Sequence, residues 1–271
     1  MTNFRDSKIM TKFRERPIIS FIVFAIIAYI LFKVINTYSL EFFLDFGFLT
    51  MESITSPGVI ISLFIIALIY IYIYKIKGFF SFSKFKLAFL LACPMVLFAI
   101  ANLFDPNFKI STLQAILIGV LAGLGPGFYE EVLFRGIIIS YLMKFFKSSK
   151  GIYGVLIVSA LLFGIVHLGN AQGAPLDATI FQVVYAAAVG ILLGAVYLRT
   201  GNIWAPIFFH TLVDFTAFAF ALADKVAAFS WNTVNIITLI ASIVVVVLGF
   251  YYVRSSKHDE IIEVWEEKWA N

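Results

Sequence analysis

The chain has 271 residues, of which 62% are hydrophobic and 13% are charged, and its mean hydropathy is +0.98. A soluble domain is nearer half apolar and a quarter charged, so this composition excludes an ordinary soluble protein and predicts apolar surface covered by lipid. The formal net charge is +4, and membrane topology accounts for the basic residues better than nucleic-acid binding, so no nucleic-acid partner is expected. Because Cys93 is the single cysteine, no intramolecular disulfide can form.

Eight segments are long and apolar enough to cross a bilayer, which takes about 20 largely apolar residues, with about 17 as the lower end. Helices are expected, because backbone exposed to lipid must satisfy its own hydrogen bonds. The predicted fold is an all-α, multi-pass transmembrane helical bundle that forms a single membrane domain over residues 1–271. The eight predicted spans are residues 17–35, 58–74, 85–104, 113–143, 152–168, 179–198, 203–223 and 233–253.

The placement of basic residues predicts the orientation of the bundle. With eight spans, 16 of the 20 Lys and Arg residues fall on one side, before the first span and after the second, fourth, sixth and eighth. Lys109 and Lys225 are the two that fall in loops on the other side. The positive-inside rule therefore places both termini in the cytoplasm. We expect an integral protein of a cell membrane, and the Lys-, Ile- and Phe-rich chain favours a bacterial one.

Two local patterns qualify this picture. The fourth segment is too long for a straight span, and Pro126 within its Gly-rich stretch predicts a kink or a break. Both ends of the chain, residues 4–16 and 259–269, mix charged with apolar residues. Ile261, Trp265 and Trp269 fall on one helical face, which suits a helix at the cytoplasmic membrane interface. A tail without fixed structure is an equal alternative.

Ionisable side chains inside a bilayer are costly, so each is a candidate for function. Four of the eight predicted spans have essentially none. Tyr185 on the sixth span is a further source of a hydroxyl group. The candidates are Glu130, Glu131 and Arg135 on the fourth span, His167 on the fifth, and His210 and Asp214 on the seventh.

Helical spacing separates the two adjacent carboxylates. Glu131 and Arg135 are four residues apart, so they share a face and can pair. Glu130 is rotated by about 100° from Glu131. We therefore expect Arg135 to neutralise Glu131 and Glu130 to face a cavity as a general base. The alternative is a wholly structural cluster of the three residues that holds helices together.

The histidines suggest water activation, with or without a metal. His210 and Asp214 are also four residues apart, and a carboxylate often orients an imidazole in this way. His167 lies on another span. Two histidines with the unpaired Glu130 could activate a water molecule. They also match the ligand set of catalytic zinc, so His167, His210 and Glu130 are candidate ligands of zinc or another divalent metal.

Three ordered motifs carry a family resemblance. They run from Glu130 to Arg135 (EEVLFR), from Phe163 to His167 (FGIVH) and from His210 to Asp214 (HTLVD). They resemble the EExxxR, FxxxH and HxxxN or HxxxD motifs of the CPBP family, the CAAX-processing and bacteriocin-processing intramembrane proteases, also called the Abi family. The motif-bearing core is about residues 113–223.

The resemblance implies a fold of about eight spans and a division of labour among the six candidates. Glu130 would activate the attacking water, and His167 and His210 would assist it or hold a metal. Asp214 takes the place of the Asn often found there, which changes the charge where an amide would stabilise an oxyanion.

An intramembrane endopeptidase is the leading functional prediction. Its partners would be a peptide or membrane-protein substrate and the lipid bilayer. The alternative is a membrane transporter or an immunity-type protein that binds a proton, ion or peptide at the same site without cutting it, with Pro126 in a broken helix. A third alternative is a scaffold that has lost catalysis.

Overall fold

The computed structural model describes residues 7–44, 51–105, 113–220 and 229–270. Within these ranges all regular structure is helical, which confirms the predicted all-α class. Short 3₁₀ helices cover Cys93–Met95, His167–Gln172 and Ser255–Lys257, and a π-helix covers Val132–Ile139. The α-helices are α1 (Lys8–Arg14), α2 (Pro17–Leu44), α3 (Met51–Tyr74), α4 (Phe85–Ala92), α5 (Val96–Leu103), α6 (Leu113–Glu131), α7 (Ser140–Met143), α8 (Ser149–Val166), α9 (Leu176–Thr200), α10 (Trp204–Phe220), α11 (Thr233–Tyr252) and α12 (His258–Trp269).

Helices occupy all eight segments that were predicted to span the membrane. Residues 221–223 of the seventh segment lie outside the described part of the chain. An integral, multi-pass membrane protein is thereby confirmed, whereas the count of eight spans stays a prediction. Within the described residues, five stretches are long and apolar enough to cross a membrane, namely Pro17–Ile35, Phe85–Leu103, Ser149–Gln172, Leu176–Thr200 and Thr233–Tyr252, and Val59–Tyr74 is a shorter apolar helix.

Hydrogen bonds gather the basic segments at one end of the bundle, as the charge pattern predicted. Arg14 donates to the carbonyl of Ile73, near the loop after α3. The loop after α3 is joined to the loop after α9, where Asn202 Nδ2 donates to the carbonyl of Ser83 over 2.9 Å. His258, at the start of α12, contacts Ser149, at the start of α8. Lys109, Lys225 and Arg5 lie outside the described residues, and the cytoplasmic assignment of this end stays a prediction.

Helix α12 packs on protein, which corrects the prediction of a helix lying at the membrane interface. Ile261 and Trp265 on its apolar face are both 0% exposed. Trp265 Nε1 donates to the carbonyl of Leu198 over 3.0 Å, and Lys268 Nζ donates to the carbonyl of Gly78 over 2.7 Å. The apolar face is therefore buried against the basic end of the bundle, and the alternative of an unstructured tail is wrong for this segment.

Helix α6 runs through Pro126 without a break, so a break at this proline is wrong, and a kink there stays a prediction. The irregularity comes nearly two turns later, where the π-helix begins at Val132 directly after Glu131. Single π-helical turns within α-helices are frequent at functional sites. In this protein the π-helix carries Arg135.

Glycines allow α6 to lie very close to α10. A Cβ added at Gly127 would fall 2.3 Å from Thr211 Oγ1, and one at Gly123 would fall 2.7 Å from the backbone nitrogen of Phe215. Such contacts between small residues let helix backbones approach each other in membranes. The approach places the end of α6, which carries the two adjacent glutamates, against the turn of α10 that carries His210.

Candidate active site

The six predicted site residues lie on three helical segments. Glu130 and Glu131 end α6 and Arg135 follows in the π-helix, while His210 and Asp214 lie one turn apart on α10. His167 begins the 3₁₀ helix that continues α8.

Glu131 contacts a guanidinium on its own helical segment and an imidazole on α10. Its Oε1 is 3.0 Å from Arg135 Nη1, with both side chains fully buried. The same oxygen is 2.8 Å from His210 Nδ1. The predicted i, i+4 pair is therefore present, and it also reaches across to α10.

Arg135 is held by charge and by an aromatic ring. Within the described part of the chain, none of its side-chain nitrogens has a hydrogen bond of good geometry. Its guanidinium lies 4.4 Å from the ring centroid of Phe163. A cation over an aromatic face gains more when both groups are desolvated, so Phe163 and Glu131 together compensate this buried charge.

The orientation of His210 differs from the prediction. Glu131, not Asp214, makes the short contact with its ring, at Nδ1. Asp214 Oδ2 lies on the other side, 3.6 Å from Nε2. Because a carboxylate accepts hydrogen bonds, Nδ1 must carry the proton when Glu131 is ionised. The Nε2 atom is then directed toward Asp214 and Glu130.

Glu130 is buried but incompletely satisfied. The residue is 8% exposed, and its Oε2 has no hydrogen-bond partner among the described residues. That oxygen lies 3.8 Å from His210 Nε2. A separation above about 3.5 Å is too long for a direct hydrogen bond and is the distance at which a bridging water should be considered. A water bridging the two atoms would lie to one side of the line that joins them, because 3.8 Å is too short for a water directly between them.

Phe163 connects His167 with the other residues of the site. Its Nδ1 donates to the carbonyl of Phe163 over 2.8 Å, because a carbonyl can only accept. The Phe163 ring is in edge contact with His167 at 5.2 Å and with His210 at 5.7 Å. Among the described residues, no hydrogen bond or ion pair joins His167 directly to Glu130, His210 or Asp214. A neutral His167 with this tautomer presents an unprotonated Nε2.

Two positioning residues were missed by the sequence interpretation. Phe163 was considered only as the first residue of the FGIVH motif, yet its ring contacts Arg135, His167 and His210. Asn102 Nδ2 donates to the carbonyl of Val213 over 3.1 Å, which anchors the turn of α10 beside Asp214. Asn102 could have been identified because it is a single amide side chain in an otherwise apolar span, where a polar group needs a partner.

The predicted metal ligands do not converge in a recognisable ligand set. No group of three or more His, Cys, Asp or Glu side chains in the described ranges has the arrangement needed to hold a metal ion. In particular, His210 already uses Nδ1 for Glu131. The metal-binding role of His167, His210 and Glu130 stays a prediction, and the chemistry proposed below uses protein groups alone.

This fold and this buried polar cluster define an integral, multi-pass membrane protein with a site inside the bundle. Residues 110–216 match the family described as "Type II CAAX prenyl endopeptidase Rce1-like". "Putative membrane peptidase YdiL" of Bacillus subtilis (strain 168) is 29% identical over 107 residues. No solved structure matches the chain significantly.

The matched region contains all three motifs, from Glu130 to Asp214, and the resemblance to the CPBP family is confirmed. The match covers 39% of this chain and 38% of the length of the Bacillus relative. The family match covers most of the motif-bearing core, and the activity and substrates of the whole protein are matters of proposal.

Proposed function

We propose that the protein is an intramembrane endopeptidase that hydrolyses a peptide bond with a water activated by Glu130 and His210. The observation that carries the proposal is the gap between Glu130 Oε2, buried and without a hydrogen-bond partner in the described residues, and His210 Nε2, 3.8 Å away. A water held between these atoms would lie within hydrogen-bond reach of both. The family of the motif-bearing core supports the same class of reaction.

Glu130 is the general base in this proposal. It removes a proton from the bridging water, whose oxygen forms a bond to the carbonyl carbon of the substrate. When the carbon–nitrogen bond breaks, the protonated Glu130 returns the proton to the leaving amine. The products are a new carboxyl terminus and a new amino terminus.

His210 stabilises the negative charge that develops on the carbonyl oxygen. The carboxylates of Glu130, Glu131 and Asp214 outnumber the single guanidinium of Arg135 around this ring. In this role the imidazole carries a proton on both ring nitrogens and donates from Nε2 to that oxygen. Pre-aimed donors of this kind cost no reorganisation at the moment of reaction. Glu131 and Arg135 position the ring and do not touch the substrate.

The test is Glu130→Gln, which preserves size and removes the base. Loss of a general base typically costs about 10²–10⁴-fold in rate. Purified membranes containing the wild type or the variant are compared for new peptide termini by mass spectrometry, and any cleaved sequence is then assayed with pure protein. Glu266→Gln is the matched control, because Glu266 is exposed on α12.

The expected result is cleavage by the wild type and by Glu266→Gln, none by Glu130→Gln, and equal melting curves for all three. Wild-type turnover by Glu130→Gln would contradict the proposal. A transporter, or an immunity or scaffold protein, predicts no Glu130-dependent termini in any of the samples, so the same experiment separates these alternatives.

A further inference from the structure

A wholly apolar cavity of about 530 Å³ lies outside the candidate active site. Its walls are the first turns of α2, the end of the π-helix with α7, and one face of α8. Phe21 stacks on Tyr141 with ring centroids 4.5 Å apart, which joins two of these walls. The Tyr141 hydroxyl donates to the carbonyl of Pro17, so the polar atom of this lining residue is already satisfied.

The cavity lies toward the basic end of the bundle, where α2 and α8 both begin. On α8 its lining includes Val158 and Leu162, and Leu162 lies about 15 Å beyond Ile152, the first residue of the fifth predicted span, at 1.5 Å per residue. On α2 the lining runs from Pro17 to Ile22, or about 8 Å. Half of a typical hydrocarbon core is about 15 Å. The cavity therefore falls within one leaflet, the one next to the basic loops.

We call the end of the cavity at Pro17, Phe145 and Phe146 its mouth, and basic residues neighbour these lining residues in sequence. Arg16 directly precedes the lining residue Pro17, and Lys144 and Lys147 flank the lining residues Phe145 and Phe146. The Lys144 ammonium is 5.6 Å from the ring centroid of Phe145. Among the described residues, no carboxylate forms an ion pair with Lys144 or Lys147.

Aromatic rings, and no carboxylate of the described residues, surround the Lys144 ammonium, which also lies 6.0 Å from the ring centroid of Tyr74 and 5.1 Å from that of Trp269. Lys144 directly follows α7, just beyond the fourth predicted span, and burial lowers the pKa of its ammonium. The positive charge of the neighbouring Arg14 lowers the pKa of Lys144 further. An anion bound at this point would relieve the repulsion between the two cations.

We propose that this cavity binds an anionic phospholipid of the leaflet at the basic end, with an acyl chain in the apolar part and the phosphate near Arg16, Lys144 and Lys147. The apolar lining excludes a polar ligand from the interior, whereas the mouth favours negative charge. Basic sites between helices at the cytoplasmic face recognise anionic headgroups in this way. A zwitterionic lipid carries its own positive charge, so its headgroup is attracted less strongly to the basic residues at the mouth.

The experiment measures lipid binding to the purified full-length chain by native mass spectrometry. Phosphatidylglycerol and phosphatidylcholine with the same acyl chains are the two probes. Inorganic phosphate is added as a competitor that has the charge without the chain. The proposal expects preferential binding of phosphatidylglycerol that inorganic phosphate does not displace.

Each basic group near a membrane surface contributes about fivefold in affinity, so Lys147→Gln is expected to weaken phosphatidylglycerol binding by about that factor. Lys150→Gln, on an exposed residue in the first turn of α8, is expected to leave it unchanged.

Two matched pairs test the apolar part. Leu162→Trp fills the cavity, whereas Leu161→Trp changes the adjacent residue, which is 53% exposed and outside the lining. Ile18→Trp and Ile19→Trp form the second pair, on α2. The cavity-filling variants are expected to lose binding and their neighbours to retain it, with melting curves recorded on the same preparations. Equal binding of the two lipids, displacement by inorganic phosphate, or equal binding by the members of both pairs would overturn the proposal.

Discussion

His210 on α10 and Glu131 on α6 are joined by a 2.8 Å contact between Nδ1 and Oε1, which links the second half of the site to the first. The same Glu131 oxygen is 3.0 Å from Arg135 Nη1. One buried carboxylate therefore compensates the guanidinium and orients the imidazole. We therefore expect substitutions at Arg135 and substitutions at Glu131 to differ in how strongly they lower stability and how strongly they lower turnover.

Arg135→Ala is expected to lower both the stability and the amount of folded protein. Its side chain is 0% exposed and forms a salt bridge with Glu131, and breaking a buried pair by removing one partner typically costs about 3–5 kcal/mol. Arg135→Lys keeps the charge but loses the planar contact with Phe163, so its stability should lie between those of the wild type and Arg135→Ala. The measurements are expression yield and melting curves in detergent. Normal abundance and an unchanged melting temperature for Arg135→Ala would remove its structural role.

Glu131→Gln and Asp214→Asn distinguish the two carboxylates around His210. Glu131→Gln keeps an oxygen near Nδ1 but loses the charge, and substitutions of groups that orient a functional imidazole typically cost about 10–100-fold. Asp214 is 3.6 Å from Nε2, beyond a direct hydrogen bond, so Asp214→Asn should cost less than Glu131→Gln. Turnover is measured per mole of folded protein. A larger loss for Asp214→Asn would instead make Asp214 the orienting group.

Helical periodicity predicted relationships within one helix and missed those between helices. The pairing of Glu131 with Arg135 follows from their spacing and is present. The same spacing argument assigned Asp214 to orient His210, but the close approach of α6 brings Glu131 nearer. That approach depends on glycine contacts between two helices, such as Gly127 with Thr211, which a pattern within one helix does not contain.

Hydrophobic patterns likewise predicted which faces are buried but not what buries them. The apolar face of the last helix was expected to meet lipid, because amphipathicity alone cannot distinguish lipid from protein. It meets protein, where Trp265 donates to the carbonyl of Leu198. Positions of charged loops were more predictable, because the rule for basic residues depends on sequence order alone.

Lys268→Met is expected to alter the pH dependence of stability. Lys268 lies on α12 outside the spans, and burial lowers the pKa of its ammonium from 10.5 to about 8. Between those two pH values the unfolded chain binds more protons than the folded chain at this residue. Stability should therefore rise with pH across the window from about 8 to 10.5.

The measurement is the melting temperature of the wild type and of two variants at pH 8 and at higher pH within that window. Relative to Lys268→Met, the wild type should gain stability as the pH rises. Lys150→Met, on an exposed residue, should follow the wild type. Parallel curves for the wild type and Lys268→Met would show that the buried ammonium does not contribute.

Gly127→Ala is expected to separate α6 from α10 and to lower both stability and turnover. The added Cβ would fall 2.3 Å from Thr211 Oγ1 and 2.8 Å from the Thr211 backbone nitrogen, and a backbone atom cannot move aside cheaply. Overpacking of this kind typically costs about 1–3 kcal/mol, which outweighs the gain of about 0.5–1 kcal/mol from replacing a helical glycine. Glu130 and Glu131 follow directly on the same helix, so their distances to His210 should increase, and a misplacement of about 1 Å can cost about 10²-fold in rate.

The matched control for this packing effect is Gly154→Ala on α8, where an added Cβ meets no atom within 4 Å. That variant should melt at or slightly above the wild-type temperature, because alanine is the better helix former. Turnover and melting curves are measured for both variants. If Gly127→Ala behaves like Gly154→Ala, the close contact between α6 and α10 does not position the two glutamates against His210. If Gly127→Ala alone loses turnover, even after normalisation for the folded fraction, the glycine contact sets the geometry of the site as well as its stability.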